Sequence, residues 1–164
     1  MELCKATAED AQAIWDLRNS AILAGCKGFY DGKSLARWTE GELTESFTAV
    51  VARDFYVMKD GQRVVGSIML DLTHPGLKRG EGQLEAVFVD PDMMGRGIGK
   101  RLMTFIEQMA LSRGIARLRL ASTLNAVPFY RACGYGEETP SLYHSPRGFT
   151  LDCCLMYKNL TARP

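Results

Sequence analysis

Apolar residues recur at two different spacings along the chain, and these spacings predict that helices alternate with strands. In residues 98–109 the apolar positions lie three or four apart, which is the pattern of an amphipathic helix. A second run with this spacing follows Thr7 and Asp10, a pair that resembles a capping box. Residues 83–90 form a short apolar run and residues 115–121 alternate between apolar and polar positions, so both segments predict strands.

Turn signals divide the rest of the chain, and Asp60-Gly61 between two strand-like segments predicts a hairpin. Strands and helices alternate in the middle of the chain and strands pair at its ends, which predicts an α/β fold with a mixed sheet. The remaining predicted elements are a strand over 2–6, a loop over 25–32, a helix over 34–51, strands over 53–59 and 62–73, a loop over 74–82, a helix over 125–133, and strands near 135–139 and 149–157 that flank a loop with Pro140 and Pro146.

The composition is that of one globular domain, because 46% of the 164 residues are hydrophobic and 24% are charged. The 20 basic and 19 acidic residues give a formal net charge of +1, which argues against a nucleic-acid partner. No apolar run approaches the ~20 residues that a membrane helix needs, and the N-terminus lacks the apolar region of a secretory signal. We therefore expect a single cytoplasmic domain over residues 1–164 with no nucleic-acid or membrane partner.

The five cysteines and two histidines do not form a pattern typical of a disulfide framework or a metal site. The cysteines show no CxxC spacing, and Cys153 and Cys154 are adjacent. His74 and His144 are far apart in the sequence. We expect free thiols in a reducing compartment and no bound metal.

The most informative segment is a glycine-rich turn between the strand over 83–90 and the helix over 98–109. Gly95, Gly97 and Gly99 expose backbone N–H groups at alternate positions, where a helix N-terminus adds its own unpaired N–H groups. Such a turn can seat a phosphate or pyrophosphate, and a tight turn without a ligand is the alternative. The segment does not match a Walker A loop or a GxGxxG dinucleotide fingerprint, since neither Met94 nor Lys100 is glycine.

Two motifs in the right order resemble the GNAT superfamily of acetyltransferases. Residues 94–99 resemble the family's Arg/Gln-x-x-Gly-x-Gly/Ala turn at Gly97 and Gly99, and depart from it at Met94. Residues 125–135 resemble its Asn-to-Phe-Tyr-x-x-x-Gly segment, with a shorter spacing between Asn and Tyr. The resemblance implies a single GNAT-like domain with a mixed sheet of six to seven strands, flanked by about four helices.

The resemblance also implies that acetyl-CoA is the co-substrate, with its pyrophosphate held at the glycine-rich turn. The strand before the turn would supply an N–H group, from about Val87 to Val89, to the oxyanion of the transition state. Asn125 would cap the short helix that follows. The residues implied for coenzyme A binding are Val87, Phe88, Val89, Met94, Gly95, Arg96, Gly97, Ile98, Gly99, Lys100, Asn125, Phe129 and Arg131.

Acetyl transfer to an amine needs a base, because an alkylammonium of pKa ~10.4 cannot attack a thioester while it is protonated. Strand alternation would place Gln83, Glu85, Val87 and Val89 on one face, unless a β-bulge shifts the parity. The position that often holds a glutamate base in the family aligns with Gln83, so Glu85 is the candidate base and Glu81 the reserve. A structural carboxylate is the alternative for Glu85.

The tyrosine of the second motif often protonates the leaving thiolate in the family, and here it is Tyr130. Phe29, Tyr30 and Trp38 lie in the region that lines the acceptor pocket in family members, and simple packing of the first helices is the alternative. His144 is expected to be a solvated loop residue.

The resemblance favours an N-acetyltransferase that acts on a primary amine of a small molecule or peptide, and it allows a homodimer. The rival hypothesis is a non-catalytic regulator or interaction module that binds acyl-CoA. Met94 and the missing glutamate at position 83 motivate that rival.

Overall fold

The computed structural model of the protein describes residues 1–145 and 148–161, which form an α/β fold around one mixed sheet. The strands are β1 (Glu2–Lys5), β2 (Phe55–Asp60), β3 (Arg63–Asp71), β4 (Glu81–Val89), β5 (Arg117–Ser122), β6 (Gly136–His144) and β7 (Thr150–Asn159). The helices are α1 (Ala11–Gly25), α2 (Gly32–Thr39), α3 (Glu45–Asp54), α4 (Ile98–Ser112) and α5 (Val127–Ala132). No helix in these described ranges is long and apolar enough to cross a membrane.

The seven strands lie in the order β1-β2-β3-β4-β5-β7-β6. Among the strands of the described residues, only β4 and β5 pair in parallel, and α4 forms the crossover between them. All other neighbours pair antiparallel, including the hairpin of β2 and β3 around Gly61. The mixed α/β sheet is confirmed, and the strand count agrees with the predicted six to seven.

The single helix predicted over 34–51 is wrong, because the structure contains two helices there. The α2 helix ends at Thr39, and α3 begins after Thr44, whose side chain accepts a hydrogen bond from the Phe47 N–H at 3.1 Å. Gly41 between them has φ of 90°, a left-handed conformation that interrupts a helix. This break raises the helix count from the predicted four to five.

The loop predicted around Pro140 is also wrong, because Pro140 and His144 belong to β6. A proline is tolerated there since β6 is an edge strand and pairs only with β7. Pro146 lies outside the described residues. His144 is exposed at the end of β6, paired in register with Thr150.

Helices cover both faces of the sheet and bury two main apolar clusters. On one face, α4 packs Ile98, Leu102 and Ile106 against strand residues that include Leu84 and Leu118. On the other face, α1 and α3 pack against β2 and β3. The Thr7–Asp10 capping box that precedes α1 is present, with the Thr7 N–H donating to Asp10 at 2.9 Å. These layers place the middle of β4 between the two helical faces.

A β-bulge at Ala86 changes which side chains of β4 share a face. Ala86 has φ of 54°, and two residues of β4 lie opposite one residue of β3 between the pairs Met69–Glu85 and Ser67–Phe88. The Ser67 hydroxyl donates to the Ala86 carbonyl at 2.7 Å and supports this conformation. Ala86 is not a glycine, so its positive φ is strained, and tertiary contacts hold the residue in this conformation.

The prediction that Gln83, Glu85, Val87 and Val89 share one face is therefore wrong. Val87 and Val89 pack against the cluster under α4, as Leu84 does. Gln83 and Glu85, which flank Leu84, point to the opposite face, where the register partner of Glu85 packs with α1 and α3.

Candidate active site

A cleft of about 1370 Å³ opens where β4 and β5 separate. The two strands pair only from Glu81–Arg117 to Leu84–Leu120. Beyond Leu84, β5 continues to pair with β7, while β4 continues toward the N-terminus of α4 and, among the described strands, pairs only with β3. No described strand pairs with the β5-facing edge of residues 85–89, so backbone groups on that edge are open to the cleft.

The cleft brings together most of the residues that the sequence singles out. Fifteen of the 18 predicted site residues line it: Tyr30, Trp38, Glu85, Val87, Phe88, Val89, Met94, Gly95, Gly97, Ile98, Gly99, Lys100, Asn125, Phe129 and Tyr130. Three predicted site residues do not line the cleft wall: Phe29, Arg96 and Arg131. Phe29 is 55% exposed, and Arg131 forms two hydrogen bonds of 2.7 Å with Glu138.

At one end of the cleft, the N-terminus of α4 forms a cradle of backbone N–H groups. Gly95 and Gly97 adopt φ of 80° and 79°, a left-handed conformation that other residues adopt at a cost. Gly97 is the N-cap residue and lacks a side-chain cap. The first helical hydrogen bond runs from the Arg101 N–H to the Gly97 carbonyl at 3.1 Å, so the preceding N–H groups of the turn are available to an anion.

Gly99 has a different role from the other two glycines of the turn. A Cβ at position 99 would lie 2.9 Å from Cζ of Phe129, so the glycine makes room for the aromatic ring of α5. Phe129 in turn packs edge-to-face against Tyr130, with ring centroids 5.2 Å apart. The turn and α5 are thus fixed against each other at the cleft wall.

Glu85 presents a half-buried carboxyl group to the middle of the cleft. Burial is the main cause that raises the pKa of Glu85 above its usual value, and the nearby carboxylate of Asp71 adds to the effect. A weak hydrogen bond from Gln83, 3.4 Å long, and the charge of Arg119 act in the opposite direction. Glu81, the reserve base, pairs with Arg117 at 3.4 Å and does not line the cleft.

Tyr130 projects from α5 into the wall of the cleft and is only 8% exposed. Burial raises the pKa of Tyr130 well above that of a free phenol, so the hydroxyl is neutral at physiological pH. Among the described residues, no hydrogen-bond partner faces this hydroxyl. A neutral O–H group without a described partner at a cleft wall can donate a hydrogen bond to a bound ligand.

Tyr30 lines the cleft and joins three segments of the chain. Its hydroxyl donates to the Asp152 carbonyl of β7 and accepts from the Leu124 N–H at 3.1 Å. Trp38 lies against Tyr30 and Tyr143, with both pairs of ring centroids 6.1 Å apart. These aromatic rings form part of the cleft wall.

Asn125 does not cap α5, contrary to the expectation from its motif. It lies in a short 3₁₀ turn before the helix, and its Oδ1 accepts from the Cys26 thiol at 3.3 Å. Pro128 lies in the first turn of α5, and Gly134 follows the helix with φ of 95°, as is typical of a glycine at a helix C-terminus.

Several cleft residues carry no local sequence signal. Asp71 at the end of β3, Arg18 on α1 and Tyr143 on β6 line the cleft, although they belong to no recognisable motif. Only the sheet register brings Asp71 next to β4, where it lies opposite Gln83. A residue pattern within one segment could not have revealed this proximity.

The fold and the cleft agree with the comparison to known families. The family model described as "Acetyltransferase (GNAT) family" matches residues 20–135, which is more than half of the chain. The protein therefore belongs to the GNAT family of acetyltransferases, which are acyltransferase enzymes.

Individual relatives share the family but are distant in sequence. An uncharacterized N-acetyltransferase of Methanocaldococcus jannaschii is 29% identical over 140 residues, which cover 80% of this chain and 59% of that protein. The chain spans about half the length of the curated relatives it matches.

Solved structures show the same fold at low identity. A GCN5-related N-acetyltransferase from Rhodopseudomonas palustris superposes with a TM-score of 0.83 at 22% identity, over 97% of this chain and 95% of that one. The PaiA N-acetyltransferase from Thermoplasma acidophilum, solved in complex with coenzyme A, gives a TM-score of 0.73 at 18% identity, over 96% and 98% of the two chains.

Proposed function

We propose that the protein is an N-acetyltransferase that transfers an acetyl group from acetyl-CoA directly to a primary amine of a small molecule or peptide. The observation that carries this proposal is the single cleft that joins the α4 cradle, the unpaired edge of β4, Glu85 and Tyr130. These are the parts that direct acyl transfer needs: an anion seat, oxyanion donors, a base and an acid.

The cradle would hold the pyrophosphate of acetyl-CoA. The unpaired N–H groups before Arg101 and the helix dipole favour an anion at this end of the cleft, and Lys100 adds a positive side chain there. The coenzyme A complex of a protein with the same fold supports this choice of co-substrate. The acyl arm would then extend along the open edge of β4 toward Glu85.

Glu85 would accept the proton of the acceptor ammonium, directly or through one water molecule. Its raised pKa brings the carboxylate closer to the pKa of the amine, which makes it a stronger base than an exposed glutamate. The freed amine attacks the thioester carbonyl, and the oxyanion that forms would be stabilised by a backbone N–H group of residues 87–89. One such preorganised donor contributes about 3 kcal/mol.

Tyr130 would complete the reaction by donating its proton to the sulfur of the leaving coenzyme A. The ammonium nitrogen loses two protons, one to Glu85 before attack and one as the tetrahedral intermediate collapses. The products are the acetylated amine, coenzyme A in its thiol form and one proton released to solvent, while the other proton restores Tyr130. The buried, neutral phenol holds its proton until the thiolate forms.

The acceptor would enter from the side of the cleft that Tyr30 and Trp38 line. The proposal includes a cytoplasmic location, which the five free thiols favour, and a homodimer. Phe29, which is exposed on the same loop as Tyr30, is available to contact a large acceptor or a second subunit.

Two measurements test the proposal in order. Acetyl-CoA should raise the melting temperature of the protein, whereas ATP and NAD should not, because binding to the folded state alone adds about 2.7 kcal/mol at a hundredfold excess over Kd. No shift at millimolar acetyl-CoA would reject the cofactor. Release of coenzyme A thiol is then followed over a panel of amines and peptides, and a shift without turnover on any of them would favour a non-catalytic acyl-CoA-binding module.

A further inference from the structure

Two buried polar atoms beside the cleft lack hydrogen-bond partners, and they belong to residues that lie side by side on adjacent strands. The Oε1 atom of Gln83 and the Nε atom of Arg119 are both buried without a hydrogen bond within the described chain. Gln83 on β4 and Arg119 on β5 are register partners in the parallel ladder. The Gln83 oxygen is an acceptor and the Arg119 Nε–H is a donor, so the two groups are complementary.

The same two residues face the same side of the sheet. Leu84, Leu118 and Leu120 pack into the cluster under α4, so Gln83 and Arg119 point to the opposite face. Neighbouring strands lie about 4.8 Å apart, which brings the amide and the guanidinium within reach of a hydrogen bond or one bridging water. A buried polar group without a partner destabilises the fold, which favours this pairing over two orphaned atoms.

Each residue is already bound at its other end. The Gln83 amide donates from Nε2 to Oε1 of Glu85 at 3.4 Å. Arg119 donates from Nη1 to the carbonyl of Gly76 at 2.8 Å. The guanidinium lies so close to Gly76 that a Cβ there would be 2.9 Å from Cζ, so the connection between β3 and β4 is packed directly on Arg119.

We propose that Gln83 and Arg119 are positioning residues, which pair with each other and hold the Glu85 carboxylate in the cleft by linking it to the backbone of the 72–80 connection. The chain runs from the Gly76 carbonyl through the guanidinium and the amide to the carboxylate. Its significance for catalysis rests on the proposed function, since Glu85 is the base proposed there. The linkage itself concerns the folded protein without ligands and can be tested without any acceptor.

The charges around Glu85 decide how the linkage can be measured. Asp71 on β3 and Asp54 at the end of α3 raise the pKa of Glu85, whereas the Gln83 hydrogen bond and Arg119 lower it. Three cationic side chains line the cleft: Lys100 lies at the cradle, Arg53 pairs with Asp54, and Arg18 donates to the Trp38 carbonyl. Breaking the chain should therefore raise the pKa of Glu85 further.

The test follows the titration of Glu85 by NMR in the full chain labelled with carboxyl-¹³C glutamate, with the Glu85 signal assigned by its loss in Glu85→Gln. The titration midpoint should move to higher pH in Gln83→Met and in Arg119→Met. Gly76→Ala should act in the same direction, because it displaces the guanidinium while leaving its charge in the protein. This variant keeps the test valid if Arg119→Met fails to fold.

Two control variants separate the chain from general electrostatics. Arg117→Met removes an arginine two residues earlier on the same strand, which pairs with Glu81 and Glu137, and should leave the Glu85 midpoint unchanged. Asp71→Asn removes a like charge and should lower the midpoint. If Gln83→Met leaves the midpoint where it is in the wild type, the amide does not link Arg119 to Glu85 and the proposal is rejected.

A second readout reports on the pairing itself. The Nε–H proton of Arg119 should exchange slowly with solvent in the wild type and quickly in Gln83→Met. Gln83→Glu keeps an acceptor and should restore slow exchange, although its added carboxylate raises the Glu85 midpoint. Fast exchange in the wild-type protein would overturn the pairing, while acetyl-CoA binding and turnover would remain open to their own tests.

Discussion

The ring of Phe129 occupies the space that a side chain at Gly99 would need, since a Cβ there would lie 2.9 Å from Cζ and 3.0 Å from Cε1 of the ring. Gly99 lies in the first turn of α4, and Phe129 precedes the proposed acid Tyr130 on α5. The contact therefore fixes the distance between the cradle for the cofactor and the hydroxyl that would protonate its sulfur. Two sequence motifs that lie 30 residues apart meet at this point.

Gly99→Ala should destabilise the protein by roughly 1–3 kcal/mol, because the added methyl group overpacks the contact with Phe129. The measurement is the free energy of unfolding in denaturant. Gly32→Ala is the matched control: it also lies at the start of a helix, but a Cβ there meets nothing within 4 Å. The control should be neutral or slightly stabilising, and an equal loss in both variants would contradict the packing role of Gly99.

The sequence alone predicts those parts of the fold in which local signals agree. The strand, glycine-rich turn and helix over residues 83–109 combine an apolar run, a turn signal and helical spacing, and the structure confirms all three as β4, the cradle and α4. The hairpin at Gly61 is confirmed for the same reason. The cleft end at α4 was therefore predictable from one continuous segment.

The remaining features depend on contacts between distant segments. The bulge at Ala86 has no local signal. A positive φ costs an alanine about 1–2 kcal/mol, so nothing in the segment itself favours it, and the conformation is held by Ser67 on another strand. The proximity of Gln83 and Arg119 depends on a parallel register that forms across a whole helix. The pattern within one segment contains no information on the bulge or on this register. The unforeseen bulge is the reason that the predicted face of β4 was wrong.

Gly97→Ala should weaken the binding of acetyl-CoA as well as the fold, because an alanine with φ near 79° is strained and the cradle must change shape to relieve the strain. The readouts are the melting temperature and its increase on addition of acetyl-CoA. Gly61→Ala is the control, since Gly61 has φ of 62° and open space but lies in a hairpin away from the cleft. Both variants should lose stability, and an equal ligand-induced increase in both would refute the cradle.

Glu85→Gln should stabilise the protein at neutral pH although it removes the proposed base. The folded-state pKa of Glu85 is raised by burial, so the unfolded chain ionises first as pH rises, and the ionised carboxylate destabilises the fold at higher pH. The gain in the free energy of unfolding should be present at pH 8 and absent at low pH, below the unfolded pKa of about 4.3. A gain that is the same at every pH would argue against this cause.

Glu138→Gln provides a control of opposite sign for this pH dependence. The hydrogen bonds from Arg131 lower the pKa of Glu138, so its carboxylate stabilises the fold above the unfolded pKa and loses that effect in acid. The substitution should therefore destabilise slightly at neutral pH, because the pair is exposed to solvent. Its effect too should vanish at low pH.

Tyr130→Phe should reduce turnover by roughly 100-fold to 10,000-fold, the usual range for loss of a general acid, with little change in stability or in acetyl-CoA affinity. The stability is spared because no group in the described chain is hydrogen-bonded to the Tyr130 hydroxyl. Tyr135→Phe is the matched control on the same aromatic cluster, since the Tyr135 hydroxyl donates to Glu107 at 3.0 Å and does not line the cleft. It should cost about 1–3 kcal/mol of stability and leave turnover intact. Measuring kcat and the unfolding free energy of both variants separates the two roles: if Tyr130→Phe turns over at the wild-type rate, the leaving thiolate takes its proton from another donor.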